Sequence, residues 1–206
     1  MAGNSKKSMW GNEDKETLDV LNSANLGGNW LNLAAGDGRY NNLLLKKADF
    51  VIAADIDEFA LKKLEADTPN EDLRRLRILV FDVTKKFPFN ANKFDGILCT
   101  GTLHLFNKEI LQTIFSEITR VLNPSGRIII DFATDIKRIT KDGKQIHIVE
   151  NEPRYTMKEA IELLKTAFKD YKSEIHEYNV PKETVKNKNG EYEFECRYIL
   201  LIAGKP

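Results

Sequence analysis

A chain of 206 residues suits one large α/β domain and leaves little room for a second. With 42% hydrophobic and 30% charged residues it reads as globular and not disordered. Lys plus Arg equals Asp plus Glu at 31 each, a balance that excludes a general electrostatic pull toward nucleic acid and leaves only a local patch open.

The chain starts with small and polar residues over 1–9, expected to form a loose terminus. This start lacks the apolar core of a signal peptide, and no apolar run is long enough to span a bilayer. Residues 13–24 predict a helix with Leu18, Leu21 and Val20 facing inward. Asn25-Leu26-Gly27-Gly28 ends it. Residues 29–33 then form a short apolar strand that breaks into Ala34-Ala35-Gly36-Asp37-Gly38, and a helical pattern resumes at Tyr40. A second strand over 50–54 ends in Asp55-Ile56-Asp57, and residues 59–65 predict a helix on Ala60, Leu61 and Leu64. Thr68-Pro69-Asn70 breaks that pattern, and 71–75 is expected to be a short turn. A third strand, 78–81, ends in Asp82, and 85–92 reads as a loop with Pro88 and two aromatic residues.

A fourth strand, 94–99, opens into Thr100-Gly101-Thr102-Leu103-His104. Residues 108–121 form a strong amphipathic helix on Ile110, Leu111, Ile114, Phe115, Ile118 and Val121. Asn123-Pro124-Ser125-Gly126 stops it. Ile128-Ile129-Ile130 is continuous and β-branched, as a doubly buried parallel strand should be, and ends in Asp131-Phe132-Ala133-Thr134-Asp135. Asp142-Gly143 between two strand-like runs is a hairpin signal, read as an insertion at about 136–149 in a single domain spanning 1–206. A helix over 157–168 and two long strands, 171–180 and 192–203, follow, with 182–190 as a polar return between them. Cys99 and Cys196 suggest neither a disulfide framework nor a metal cluster, so a reducing cytosol is the natural compartment.

Alternating strands and helices imply a doubly wound parallel sheet with right-handed crossovers. Strand, glycine turn and helix is a geometry that sets backbone N–H groups and a helix N-terminus against a ligand. A carboxylate about 20 residues further on suits a ribose diol, and a second one at the next strand end suits an adenine amino group. A nicotinamide dehydrogenase would need Gly-x-Gly-x-x-Gly, but Asn41 stands at the third glycine position. A phosphate-binding loop would need Gly-Lys-Ser/Thr, and the chain contains none.

In their order and spacing these motifs resemble the class I S-adenosylmethionine-dependent methyltransferases. The resemblance runs through Leu33-Ala34-Ala35-Gly36-Asp37-Gly38-Arg39-Tyr40, Ala54-Asp55-Ile56-Asp57, Phe81-Asp82-Val83, Phe87-Pro88-Phe89 with Lys93-Phe94-Asp95, Leu103-His104-Leu105-Phe106 and Arg120-Val121-Leu122-Asn123-Pro124-Ser125-Gly126-Arg127. It implies a seven-stranded, mostly parallel sheet with an antiparallel last strand in a three-layer α/β/α sandwich, and S-adenosylmethionine as cofactor. Cofactor contact is thereby implied for Ala34, Gly36, Gly38, Asp55, Ile56, Asp82, Val83 and Thr100. Three positions depart from the family: Asn32 where an acid is common, Ala34 where glycine is common, and Ser125 in the usual Pro-Gly-Gly.

The implied activity is methyl transfer to an acceptor, with a small molecule favoured and an RNA or protein acceptor left open. A non-catalytic relative that binds the nucleotide or a partner protein is the alternative. A base is needed only if the acceptor must lose a proton. His104 is the first candidate, where the alternative is a packed histidine, and Asp131 and Asp135 are weaker ones. Asp55, Asp57 and Asp82 each have a second reading as caps of the turn that follows. Cys99 follows Leu98 and not proline, so the nucleophile of cytosine-C5 methyltransferases is missing; Thr100-Gly101-Thr102 replaces the Asn-Pro-Pro-Tyr type signature. No metal constellation is visible. The hairpin, with Lys137, Arg138, Lys141 and Lys144, is expected to cover the acceptor pocket, helped by Trp10, where the alternative is a solvated hairpin.

Overall fold

The computed structural model describes residues 8, 13–147, 151–187 and 190–204. Trp10 and the end of the expected hairpin lie outside them. The strands are β1 (Asn29–Leu33), β2 (Phe50–Asp55), β3 (Leu76–Val80), β4 (Phe94–Cys99), β5 (Leu122–Thr140), β6 (Lys172–Asn187) and β7 (Gly190–Gly204). The helices are α1 (Lys15–Ser23), α2 (Asn41–Leu45), α3 (Glu58–Ala66), α4 (Asn70–Leu73), α5 (Lys108–Val121) and α6 (Met157–Ala167).

The strands form one seven-stranded sheet in the order β3-β2-β1-β4-β5-β7-β6. β1 to β5 pair in parallel, and β7 runs antiparallel between β5 and β6. Strand order reverses between β1 and β4, which both neighbour each other and lead outward in opposite directions. In an open α/β sheet that reversal leaves a crevice at the carboxyl ends of the strands.

Side chains alternate across the sheet with period two. Leu31, Leu33, Ile52, Ile97, Ile128 and Ile130 face one way, into a core shared with Ile114 and Ile118 of α5 and Leu164 of α6. Trp30, Val51, Leu98 and Ile129 face the other way, onto Leu21 of α1 and Leu44 and Leu45 of α2. Each of these fully buried aliphatic side chains contributes about 1.5–3 kcal/mol of transfer free energy. The contact of β1 with β4 depends on one glycine: a Cβ at Gly96 would sit 2.2 Å from the Trp30 ring.

Helix ends follow the capping rules. Asp14, Asp57 and Asn107 each accept a first-turn backbone N–H of α1, α3 and α5, and Thr156 and Glu159 form a reciprocal capping box on α6. The aromatic loop before β4 is packed, not free. Phe81, Phe87, Phe89 and Phe94 meet edge-on or tilted, and Arg120 of α5 donates to the carbonyls of Phe87 and Phe89.

Three elements differ from the sequence expectation. Residues 70–73 form a helical turn, α4, where only a turn is expected; Pro69 at its N-cap already holds φ at −55°. β6 and β7 run on to Asn187 and Gly190, which face each other in register, so the stretch expected as a polar return is itself paired strand. The third difference is β5, which continues to Thr140 and pairs with β7 as far as Tyr192. The first arm of the expected hairpin is therefore sheet. Its second arm makes one bridge, Ile139 with Gln145, beside hydrogen bonds from the Thr140 and Ile146 N–H groups to the carbonyls of Lys144 and Arg138.

Candidate active site

The turn after β1 takes a left-handed backbone at Ala34 (φ 54°), Gly36 (φ 53°) and Gly38 (φ 85°). Glycine adopts this region freely, whereas alanine at position 34 is strained. The Gly36 N–H donates to Asp55 Oδ2 at 2.8 Å, so the end of β2 holds the turn directly. Asp55 Oδ1 accepts the N–H of Asp57 at 2.9 Å. Asp55 is thus fixed by two backbone donors at the crevice, and its remaining lone pairs point away from both. Asp57 caps α3 instead.

Asp37 is buried within the turn and bound from two sides. Ser8 Oγ donates to its Oδ1 at 2.5 Å, and Lys63 Nζ of α3 lies 2.9 Å from its Oδ2. Ser8, in a stretch expected to be loose, is buried on the glycine turn. No local pattern marks that contact.

Ile56 is 67% exposed and Phe59 71% exposed at the rim beside Asp55, an unusual placement for large apolar groups. Asp82 accepts the Thr84 hydroxyl at 2.7 Å and the Thr84 N–H at 2.8 Å, and the two bonds hold its carboxyl below the usual carboxylate range. Val83 is buried and Thr100 half-buried. The candidates from β1, β2, β3 and β4 therefore lie at the same edge of the sheet.

His104 sits in a short 3₁₀ turn, Leu103–Leu105, after β4. It is 7% exposed, and its Nδ1 has no hydrogen-bond partner. Burial drives its pKa down to about 4; Glu152 opposes this and Arg138 adds to it. Arg138 is no solvated hairpin cation: its Nη1 lies 2.8 Å from both oxygens of Glu152, and both side chains are buried. His147 Nδ1 approaches the same carboxylate at 3.7 Å. The segment after β5 is in this way tied down near His104. The lysine at the turn, Lys141, is 80% exposed and pairs with Glu191.

Asp131 and Asp135, adjacent in the sequence reading, are parted by the structure. A register shift between Thr134 and Lys137 and a left-handed Asp135 (φ 50°) turn the chain. Asp135 faces Arg197 along a 610 Å³ surface groove beside α6. Asp131 stays at the crevice, 1% exposed, where its Oδ1 accepts the Gly101 N–H at 2.6 Å. Burial first, and the Asp14 charge next, push its carboxyl up to about 7, while the Gly101 hydrogen bond and Arg39 oppose this.

Tyr178 of β6 and Tyr198 of β7 stack beside it, centroids 5.6 Å apart and planes 11° from parallel. Tyr178 donates to Asp14 Oδ1 at 3.1 Å, and Tyr40 donates to Asp14 Oδ2. The sequence reading missed both strand tyrosines and Asp14, since they meet only when β6, β7 and α1 close around the end of β5.

Residues 31–130 match the family model described as Methyltransferase domain. A curated relative, phosphoethanolamine N-methyltransferase 1 of Triticum aestivum, is 30% identical over 119 residues. That match covers 57% of this chain, and the chain spans only 24% of the relative's length. Among solved structures, TehB from Haemophilus influenzae superposes with a TM-score of 0.68 at 18% identity, over 95% of this chain and 63% of that one. PH0226 from Pyrococcus horikoshii OT3 gives 0.63 at 18% identity, over 99% and 97%. The DhpI–SAH complex gives 0.63 at 18% identity, over 92% and 82%. At these identities the structural likeness establishes the fold.

Proposed function

We propose that this chain, whose residues 31–130 match the methyltransferase-domain model, is a class I, Rossmann-like S-adenosylmethionine-dependent methyltransferase that transfers the methyl group to a small-molecule acceptor. The observation that carries the reading is Asp55. It is clamped by the glycine-turn and Asp57 N–H groups, which leaves acceptor positions for a ribose diol beside a turn built of left-handed residues. The exposed Ile56 supports the same reading, because an apolar side chain at the rim suits one face of an adenine ring.

In this assignment Ala34, Gly36 and Gly38 approach the methionine and ribose portions. Asp55 takes the ribose hydroxyls. Ile56 and Val83 flank the adenine, Asp82 faces its amino group, and Thr100 completes the floor at the end of β4. When bound, S-adenosylmethionine supplies a methyl group already activated by its sulfonium charge. The chain's own residues then have to align the acceptor in line and keep water out. His104, neutral at physiological pH with an open ring nitrogen, is assigned as the base for an acceptor that must shed a proton. The turn after Thr140 is assigned as the cover of the acceptor side. A small acceptor fits the zero net charge and the substrate class in the wheat relative's name.

Calorimetry with S-adenosylmethionine tests the cofactor assignment. Asp55→Ala removes charge-assisted acceptors worth roughly 1.5–3 kcal/mol, so affinity should fall about 10- to 100-fold. Unchanged affinity in Asp55→Ala would remove Asp55 from the site.

A further inference from the structure

We propose that Asp131 with the Tyr178–Tyr198 pair is the acceptor subsite, and that the acceptor is an amine whose ammonium docks on the Asp131 carboxylate. The proposal rests on the methyltransferase reading and deepens it.

The subsite is built from five separate parts of the chain. Gly101, after β4, and Asp131, on β5, are joined by a 2.6 Å hydrogen bond. That bond uses one carboxylate oxygen, and among the described residues Gly101 is the one donor to Asp131. β7 and β6 add the stacked tyrosines, and α1 adds Asp14 at its N-cap. Asp14 is already occupied by Tyr40, Tyr178 and the Thr17 N–H. Tyr198 makes no hydrogen bond among the described residues. Asp131 Oδ2 and the Tyr198 hydroxyl are thus open to a ligand.

Charge decides what kind of ligand fits. Glu13, Asp14 and Asp131 face this region against Arg39, whose guanidinium lies 5.9 Å from the Tyr40 ring centroid and borders Gly101. Lys46 acts on Glu13 as a second cation, so with Asp131 ionised three acids stand against two bases, and the Tyr178–Tyr198 pair lies beside them. A buried carboxylate beside aromatic rings suits a cation, which gains both a charge-assisted hydrogen bond and cation–π attraction. A carboxylic or phosphoric group would meet like charge. The raised pKa of Asp131 fits the second task, since a carboxylate of this basicity can take a proton from an ammonium.

The step then balances. The ammonium gives one proton to Asp131, which frees the nitrogen lone pair. The nitrogen attacks the methyl carbon, a nitrogen–carbon bond forms, and the sulfur–carbon bond breaks with its electron pair going to sulfur. The sulfonium becomes a thioether, the product carries the positive charge as a methylated ammonium, and Asp131 later releases its proton to water. Asp131 takes the proton of an amine acceptor, and the role of His104 is confined to acceptors of other kinds.

The experiment has two stages. Calorimetry with S-adenosylhomocysteine on the parent and Asp131→Asn reports the cofactor site alone. Asparagine can still accept the Gly101 N–H, so affinity should stay within about twofold of the parent. Trideuteromethyl-labelled S-adenosylmethionine is then supplied with a cell extract and with ethanolamine, putrescine and tyramine. Ethylene glycol, p-cresol and mercaptoethanol serve as oxygen and sulfur counterparts.

The label should appear on an amine nitrogen. That amine, titrated into the S-adenosylhomocysteine complex, should bind Asp131→Asn at least tenfold more weakly than the parent, and its turnover by Asp131→Asn should fall at least tenfold. Label on oxygen, sulfur or carbon only, no label from a protein that binds S-adenosylhomocysteine, or equal amine affinity in Asp131→Asn overturns the proposal. Failure of the parent to bind S-adenosylhomocysteine overturns the methyltransferase reading first, and this proposal with it.

Discussion

Ala34 and Asp131 are the two residues at which local chemistry and the needs of the site diverge most. Ala34 occupies the left-handed region that the turn demands. An L-residue with a Cβ costs roughly 1–2 kcal/mol there, so Ala34→Gly should raise unfolding stability by about 1 kcal/mol in urea, against the usual penalty of glycine for unfolded-state entropy. Equal or lower stability would mean that the Cβ gains more from packing than the strain costs. Asp131 gives a pH signature. Its folded pKa, about 7, lies above the ordinary carboxylate value of 3.8. Between those values the folded state keeps a proton that the unfolded state has lost. The stability present at pH 4 is therefore lost progressively as pH rises to about 7 and is flat beyond. Asp131→Asn abolishes this loss. Its melting temperature should exceed the parent's at pH 8 by a few degrees, with the gap closing at pH 4. A constant gap between pH 4 and pH 8 would place the Asp131 proton elsewhere.

At the scale of elements, residues 137–147 divide into the end of β5 and a cover. Lys137 to Thr140 pair with β7, and Arg138 is locked to Glu152 by two contacts of 2.8 Å. Breaking a buried ion pair by removing one partner costs about 3–5 kcal/mol, so a deletion reaching Arg138 would report on folding and not on recognition. The informative change is confined to residues 141–147. Replacing these by a short glycine linker should leave S-adenosylmethionine affinity within about twofold while raising the acceptor Michaelis constant at least tenfold. Unchanged kinetics in a folded variant would end the role of this turn as a cover.

At the scale of the whole molecule, the cofactor assignment joins four strand ends of one rigid sheet, so ligand binding should couple to global unfolding. A ligand at 100 times its dissociation constant adds about 2.7 kcal/mol to the native state. For a chain of this size that is roughly 5–10 °C in melting temperature. S-adenosylhomocysteine should produce such a shift, and adenosine alone a smaller one. No shift at millimolar S-adenosylhomocysteine would argue against the crevice as a nucleoside site. No helix among the described residues is long and apolar enough to cross a membrane.

The sequence by itself determined the alternation of strands and helices, the glycine turn, and the carboxylates at the ends of β2 and β3. These signals are local: residue periodicity, backbone freedom and strand-end position are all encoded within a few neighbouring residues. Tertiary structure alone decided what those residues meet. Gly36 is held by Asp55 across two strands, Ser8 reaches Asp37 from the N-terminal segment, and Arg138 finds Glu152 instead of water. The same holds for the separation of Asp131 from Asp135, since a register shift in one strand sends neighbours to opposite sides of the sheet. Tyr178 and Tyr198 read in sequence as ordinary strand residues. They become a stacked pair beside Asp131 only because β7 enters antiparallel between β5 and β6, a pairing set by contacts far apart in the chain.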